Sequence, residues 1–407
     1  MSTTSHYLSD LVSNIEPSLT MSITALAGQL RAEGKDVIGF GAGEPDFDTP
    51  DAIKQAAIRS IESGKSKYTA AAGLPELKDA ISKRLMADYQ VAYDPSQIVV
   101  SCGAKHSLHN VFFAILNSGD EVIVPAPYWV SYPEQIAMTG ARMVTVPTTV
   151  AADFKVTVAD LAPVLTNKTK AIVLNSPSNP TGSVYTEAEL KTLCDWAVAN
   201  NIWIISDEIY DKLIYDGRHV CVPSLSKDIQ DRTILVNGVS KSYAMTGWRI
   251  GYFAAPQPIA SAVARLQSHT TSNPTTMAQY AAIEAFTMDQ SILDDMRQTF
   301  DTRRKIMLDR LNAMPGITMN QPKGAFYAFP KIDALFGKIT PSGVTLTDSL
   351  SFCEALLADT GVACVPGIGF GSEGYMRLSY ATSDELIEDG LSRLHQWVTT
   401  LISPSNS

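Results

Sequence analysis

The stretch Thr233–Ala254, TILVNGVSKSYAMTGWRIGYFA, decides how the chain is read. Two short apolar runs, Thr233–Val236 and Ile250–Ala254, bracket a loop of small and hydroxyl side chains. That loop holds one lysine, Lys241, and one arginine, Arg249. Runs of four to five residues, rich in Val and Ile and bounded by Gly or Asn, predict strands buried on both faces. A lysine just past such a strand is ordinarily a solvated loop residue. It means more when neighbouring strands end in chemically useful groups on the same sheet edge.

Five more runs of this kind lie upstream: Ile98–Ser101, Glu121–Val124, Met143–Val146, Ala171–Leu174 and Ile202–Ser206. Amphipathic stretches separate several of them. Glu187–Asn200 places Leu190, Leu193, Ala197 and Val198 on one helical stripe, and Thr186 with Glu189 forms a capping box. Strands alternating with helices predict an α/β fold with a mainly parallel, seven-stranded sheet. After Pro256 the pattern changes. Long helices are expected over Thr276–Ala313, then strand-like GAFYAFP, GVACVPG and YMRLSYA, then a last helix with an acidic first turn. This describes a second, smaller α+β domain, as a chain of 407 residues requires.

Bulk properties narrow the function. Hydrophobic content of 45% and charged content of 18% fit a globular protein. A net charge of −10 argues against a nucleic-acid or anionic-membrane surface, while leaving room for a local basic pocket. No stretch approaches the roughly 18 apolar residues of a membrane span. The polar start MSTTSHYLSD and five scattered cysteines without a C-x-x-C pair point to a reduced, cytoplasmic protein. His106 and His109 stand three apart with no further ligand at metal spacing, so no metal site is expected. PGIGFGSEG lacks the spacing of a dinucleotide loop.

In an open α/β sheet, ligands bind beyond the carboxyl ends of the strands. Five runs lead there into polar clusters: Cys102-Gly103-Ala104-Lys105, PAPYWVSYP, NSPSNPTG, Asp207-Glu208-Ile209-Tyr210 and NGVSKS. The glycine turn feeding a helix at Gly103 suits a phosphate. Asp207, buried at a strand end, needs a cation, either an arginine or a protonated pyridine nitrogen. Trp129 offers a flat face to a ring or to the core. Lys241, in a confined and cation-rich place, suits a Schiff-base nucleophile. Together these parts describe a pyridoxal 5'-phosphate site.

The motifs GAGEPDFDTP, KYTAAAGLPELK, PYWVSYP, NSPSNPTG, SDEIYDKLIYDG, VNGVSKSYAMTGWRIGY and MRLSYA span residues 41–381. In this order they resemble the class I, fold-type I pyridoxal-phosphate-dependent aminotransferases, close to the bacterial aspartate aminotransferases. The resemblance implies a large cofactor-binding domain over 48–295 and a small domain over 296–407, with 1–47 as an arm and the first part of the small domain. It implies that Lys241 bonds the cofactor, Asp207 pairs with the pyridinium nitrogen, and Tyr210 and Asn179 bond the ring hydroxyl oxygen. Trp129 would stack on the ring. The amides of Gly103, Ala104 and Lys105, with Ser240 and Arg249, would hold the phosphate, and Tyr68 would reach the phosphate of the other subunit of a homodimer. Arg377 would clamp the substrate α-carboxylate, helped by Asn179 and the Gly43 amide. Lys105 would read the distal carboxylate, with Thr20 at the entrance.

The implied reaction passes an amino group from L-aspartate to 2-oxoglutarate by ping-pong kinetics. Aromatic or prephenate transamination is the alternative, and β-elimination a more distant one. One position departs from part of the family: Gly238 stands where some members carry a phosphate-binding serine.

Overall fold

A computed structural model describes residues 7–403. Residues 1–6 of the polar start MSTTSHYLSD lie outside the described residues. The first strand, β1 (Ile38–Gly39), belongs to the smaller lobe. The next seven are β2 (Ile98–Ser101), β3 (Glu121–Ala126), β4 (Arg142–Pro147), β5 (Thr169–Asn175), β6 (Trp203–Asp207), β7 (Thr233–Gly238) and β8 (Gly251–Ala254). They form one sheet in the order β2-β8-β7-β6-β5-β3-β4. Each of the seven apolar runs read from the sequence is one of these strands.

Every pairing is parallel except those of β8, which runs antiparallel to both β2 and β7. The cause is the short link from β7 to β8. It holds no crossover helix, so the chain can only return alongside in the opposite sense. The reversal sets the start of β8, and Arg249 just before it, on the edge where the parallel strands end.

Strand residues alternate between two apolar layers, as the pleat dictates. Val99, Val124, Val173, Ile205 and Val236 face the helix Ala104–Ile115 through Leu108, Val111 and Phe112. Ile123, Ile172, Leu174 and Ile204 face the helix Glu187–Ala199. That helix carries the expected Thr186–Glu189 capping box; its buried stripe runs through Leu190, Leu193, Cys194 and Ala197, with Val198 partly buried at its margin. The expectation that all seven strands are buried on both faces fails at β4. It pairs only with β3 and exposes Arg142, Thr145 and Pro147, as a sheet edge does.

A further core joins Ile38, Phe40, Phe300, Phe326, Phe352, Leu378, Leu391 and Trp397, and takes in Ile209, Tyr210 and Leu213 from the segment after β6. The smaller lobe's later strands are β9 (Tyr327–Ala328), β10 (Val362–Ala363), β11 (Val365–Pro366) and β12 (Met376–Ser379). β12 lies antiparallel between β11 and β9, and β1 pairs with β10 in parallel, so the segment before Gly43 joins the C-terminal lobe. No helix among the described residues is long and apolar enough to cross a membrane.

Candidate active site

A cavity of about 420 Å³ opens where the parallel strands end. All five polar clusters named above reach it. Ala104 and Lys105 follow β2, Trp129 follows β3, Asn179 follows β5, Asp207 and Tyr210 end and follow β6, and Ser240 and Lys241 follow β7. Arg249 lines it from the start of β8, Arg377 from β12 of the smaller lobe, and Thr20 and Gly43 from the N-terminal segment. Lys105, Lys241, Arg249 and Arg377 thus face only two carboxylates, Glu44 and Asp207. The chain is acidic overall, yet this cavity is cationic and suits a ligand with several negative charges.

The helix Ala104–Ile115 begins here without a side-chain cap. The amides of Ala104 and Lys105 donate to nothing among the described residues, as the free end of a helix allows. Gly103 does something else. Its amide donates to Ser101 O at 2.7 Å, and it does not line the cavity. Its φ is +86°, and a Cβ would stand 2.5 Å from Arg249 Nη2. Only glycine lets the arginine lie against this helix end. Arg249 is fixed by Nη1 donating to Thr246 O at 2.9 Å and Nη2 to Cys102 O at 3.3 Å. Gly238 is explained by its neighbour: a Cβ there would stand 2.9 Å from Gly251 Cα and 3.0 Å from Ile250 O. A serine cannot enter without moving β7 from β8; this loop brings the Ser240 hydroxyl to the cavity, and that of Thr246, which donates to Glu44 Oε2 at 2.8 Å.

Asp207 is buried and has no cationic partner among the described residues. It accepts from Tyr132 OH at 2.7 Å and from the Ile209 amide at 3.3 Å. Burial pushes its carboxyl up to about 6, against the pull of the Tyr132 hydrogen bond. The structural alternative, an arginine partner, is not what the fold supplies. Burial holds the Lys241 amine down at about 8; Glu44 opposes this, and Arg377, Arg249 and Lys105 reinforce it. Its Nζ donates to Gly43 O. The Gly43 carbonyl is therefore engaged, while its amide donates to nothing among the described residues.

Arg377 is only 1% exposed. It donates from Nη1 to Asn179 Oδ1 at 3.1 Å and from Nη2 to Gly41 O at 2.8 Å, and its rings of contact are Tyr327 and Phe370. Its buried Nε has no partner, and no carboxylate pairs with it among the described residues. A buried guanidinium in that condition is costly unless a ligand carboxylate completes it. Lys105 Nζ lies 5.0 Å above the Trp129 ring, also without a carboxylate among the described residues. Tyr210 OH and Tyr327 OH share a hydrogen bond of 2.9 Å. Tyr68 is not at this cavity; its side chain is 90% exposed on the surface.

The sequence reading missed several groups. Tyr132 stands inside PYWVSYP, three residues beyond Trp129, where a helix start could have marked it. Asn175 and Glu44, inside the stretches NSPSNPTG and GAGEPDFDTP, also line the cavity, as does Tyr327, which no local pattern ties to it. Among the described residues, no three His, Cys, Asp or Glu gather as metal ligands, and His106 Nδ1 accepts from the Cys102 amide at 3.3 Å.

The family follows from this fold and this cavity together: the chain belongs to the class I and II aminotransferases, whose family model matches residues 35–394. It is 47% identical to the aspartate aminotransferase of Bacillus sp. (strain YM-2), over 96% of this chain and 99% of that protein. It is 45% identical to the aspartate/prephenate aminotransferase of Cereibacter sphaeroides, over 97% and 99%. The crystal structure of the aspartate aminotransferase from Rhizobium meliloti superposes with a TM-score of 0.94 at 40% identity, covering 97% of this chain and 99% of that one.

Proposed function

We propose that this protein is an aspartate aminotransferase that passes the amino group of L-aspartate to 2-oxoglutarate with pyridoxal 5'-phosphate. The observation that carries this reading is the cationic cavity built around Arg377, a buried arginine without a carboxylate partner among the described residues. The residues present fit the cofactor. The free amides of Ala104 and Lys105, the Ser240 hydroxyl and Arg249 would hold its phosphate. Asp207 would pair with the ring nitrogen, Tyr210 and Asn179 would bond the ring hydroxyl oxygen, and Trp129 would offer its face to the ring. When bound, the protonated ring draws off the electron pair of the substrate Cα–H bond.

The remaining work falls to this chain. Lys241 holds the cofactor and, once displaced by substrate, takes the proton from Cα as a base whose pKa is suited to it. Arg377 grips the α-carboxylate with its planar fork, next to Asn179 and the Gly43 amide. Lys105 swings from Trp129 to the distal carboxylate, and Thr20 borders the mouth. In this reading residues 48–295 form the large domain, and 1–47 with 296–407 the small one, so substrate lies between them. The exposed Tyr68 completes the phosphate site of a second copy in a homodimer. The protein works in the cytoplasm, in keeping with five unpaired thiols.

A second reading, transamination of aromatic amino acids or prephenate as well as aspartate, is favoured by Lys105 resting on Trp129, where an aromatic substrate would leave it. One experiment separates these readings. Holoenzyme is assayed for keto-acid product with aspartate, glutamate, phenylalanine and alanine, for the wild type and Lys105→Ala. Aspartate is expected to be the best donor, and the variant to raise its KM about tenfold or more while changing the KM for phenylalanine by less than about threefold. Equal effects on both donors sink the role of Lys105. Release of ammonia and pyruvate in place of keto-acid exchange would make the enzyme a lyase.

Tyr132→Phe tests the support of Asp207. A hydrogen bond to a charged group contributes about 1.5 kcal/mol, so its loss lifts the Asp207 pKa by about one pH unit. Asp207 acts as the carboxylate, so activity is retained above its pKa and lost below it. The acid limb of the kcat/KM profile is therefore expected to move to higher pH by up to that amount, with the alkaline plateau largely kept. An acid limb that does not move shows that Tyr132 has no such role.

A further inference from the structure

We infer that Asp211 and Gln290 are positioning residues for Lys241, each holding one of the two residues that follow it. The inference rests on the reading above, in which the Lys241 amine bonds the cofactor aldehyde.

Ser242 is fully buried and donates to Asp211 Oδ1 at 3.0 Å. The other oxygen, Asp211 Oδ2, accepts from Tyr89 OH at 2.7 Å. Asp211 is itself buried, yet it pairs with no cation among the described residues; the adjacent Lys212 bonds Asp88 instead. On the other side, Tyr243 OH donates to Gln290 Oε1 at 2.7 Å. Gln290 is anchored in turn, its Nε2 donating to Ala285 O at 3.0 Å and Met288 O at 2.9 Å. Next in the chain, Ala244 adopts φ +50°, a left-handed conformation that a non-glycine residue keeps only when its surroundings impose it.

None of Asp211, Ser242, Tyr243 and Gln290 lines the active cavity. Asp211 and Gln290 line a separate cavity of about 620 Å³. They therefore touch no reacting atom, and the hydroxyls they hold belong to the two residues that follow the lysine. Asp211 directly follows Tyr210, and Gln290 opens the 3-10 turn Gln290–Leu293 that leads into the helix Asp294–Asn312, so the Lys241 loop is tied to both segments. A lysine on a loop without these two posts would spread its amine over several directions, and a displacement of about 1 Å can cost on the order of 100-fold in rate.

The test compares wild type with Ser242→Ala, Tyr243→Phe and the double variant, each of which removes a hydroxyl and little volume. Apoenzyme is mixed with pyridoxal 5'-phosphate. The Lys241 nitrogen bonds the aldehyde carbon, water leaves, and the growth of the visible absorbance band gives the rate. Each single variant is expected to slow this step by about threefold to tenfold and the double variant by more. In the loaded enzyme, kcat is expected to fall while the KM for aspartate stays within about twofold, because Arg377 and Lys105 stand on other elements. Melting temperature is measured in parallel. Wild-type condensation rates in all three variants overturn the inference, as does a rate loss no larger than the loss of folded protein. Lys241→Ala is the separate control: a band that still forms in it overturns the assignment of Lys241 itself.

Discussion

Lys241→Ala is expected to lower turnover of aspartate with 2-oxoglutarate by at least about 10⁴-fold, because one nitrogen both holds the cofactor and moves the Cα proton. The structure makes the residue fit for this and poor as a stabiliser. Burial holds its amine at about 8, well below the ordinary lysine value. Below that pH, the folded state carries a charge that the unfolded chain solvates more easily. Folding is penalised there; the penalty starts to fall once pH passes about 8 and is gone only above the ordinary lysine value of 10.5. Alanine removes the penalty along with the bond to Gly43 O, so the melting temperature of the cofactor-free protein at pH 7 is expected to stay at or above the wild-type value. A steady-state assay without added amine, paired with thermal melting, checks both halves. Wild-type turnover in the variant would falsify the mechanism; lost turnover accompanied by unfolding would remove its support.

Arg377→Ala should produce the second-largest loss, about 10³-fold in kcat/KM, since truncating a buried partner of a charged ligand group costs about 2–5 kcal/mol. The loss should be nearly the same for aspartate, glutamate and phenylalanine, because every amino acid carries the α-carboxylate. Lys105→Ala should instead discriminate among them. Arg377→Lys keeps the charge but not the planar fork, and should recover only a small part of the activity. Kinetics of the two variants with three donors decide the point. A loss confined to aspartate would assign Arg377 to the distal carboxylate. No loss would leave the buried guanidinium, with its partnerless Nε, without a functional account.

The Asp207 site shows where reading the chain stops. Its place at the end of a Val- and Ile-rich run marks it as a buried carboxylate, and burial alone forecasts a raised pKa. Its hydrogen-bonding partner, Tyr132, lies 75 residues away and comes from the helix after β3. Tyr210 meets Tyr327 across 117 residues, and Arg377 meets Gly41 across 336. No periodicity records such pairs, since each depends on strand order and on how the two lobes close.

The seven strands, the α/β class, the five polar clusters and the motifs that mark Lys241, Asp207 and Arg377 are legible along the chain. They are local matters of side-chain period, turn chemistry and strand ends. Folding in three dimensions is needed to see that β8 runs backwards and brings Arg249 to the active edge, that β4 is an exposed edge, and that Gly103 serves through its missing Cβ rather than its amide. Folding also leaves position 238 no room for a serine. The physical reason is the same in each case: contact between distant segments is fixed by packing at van der Waals range, which local sequence spacing does not encode.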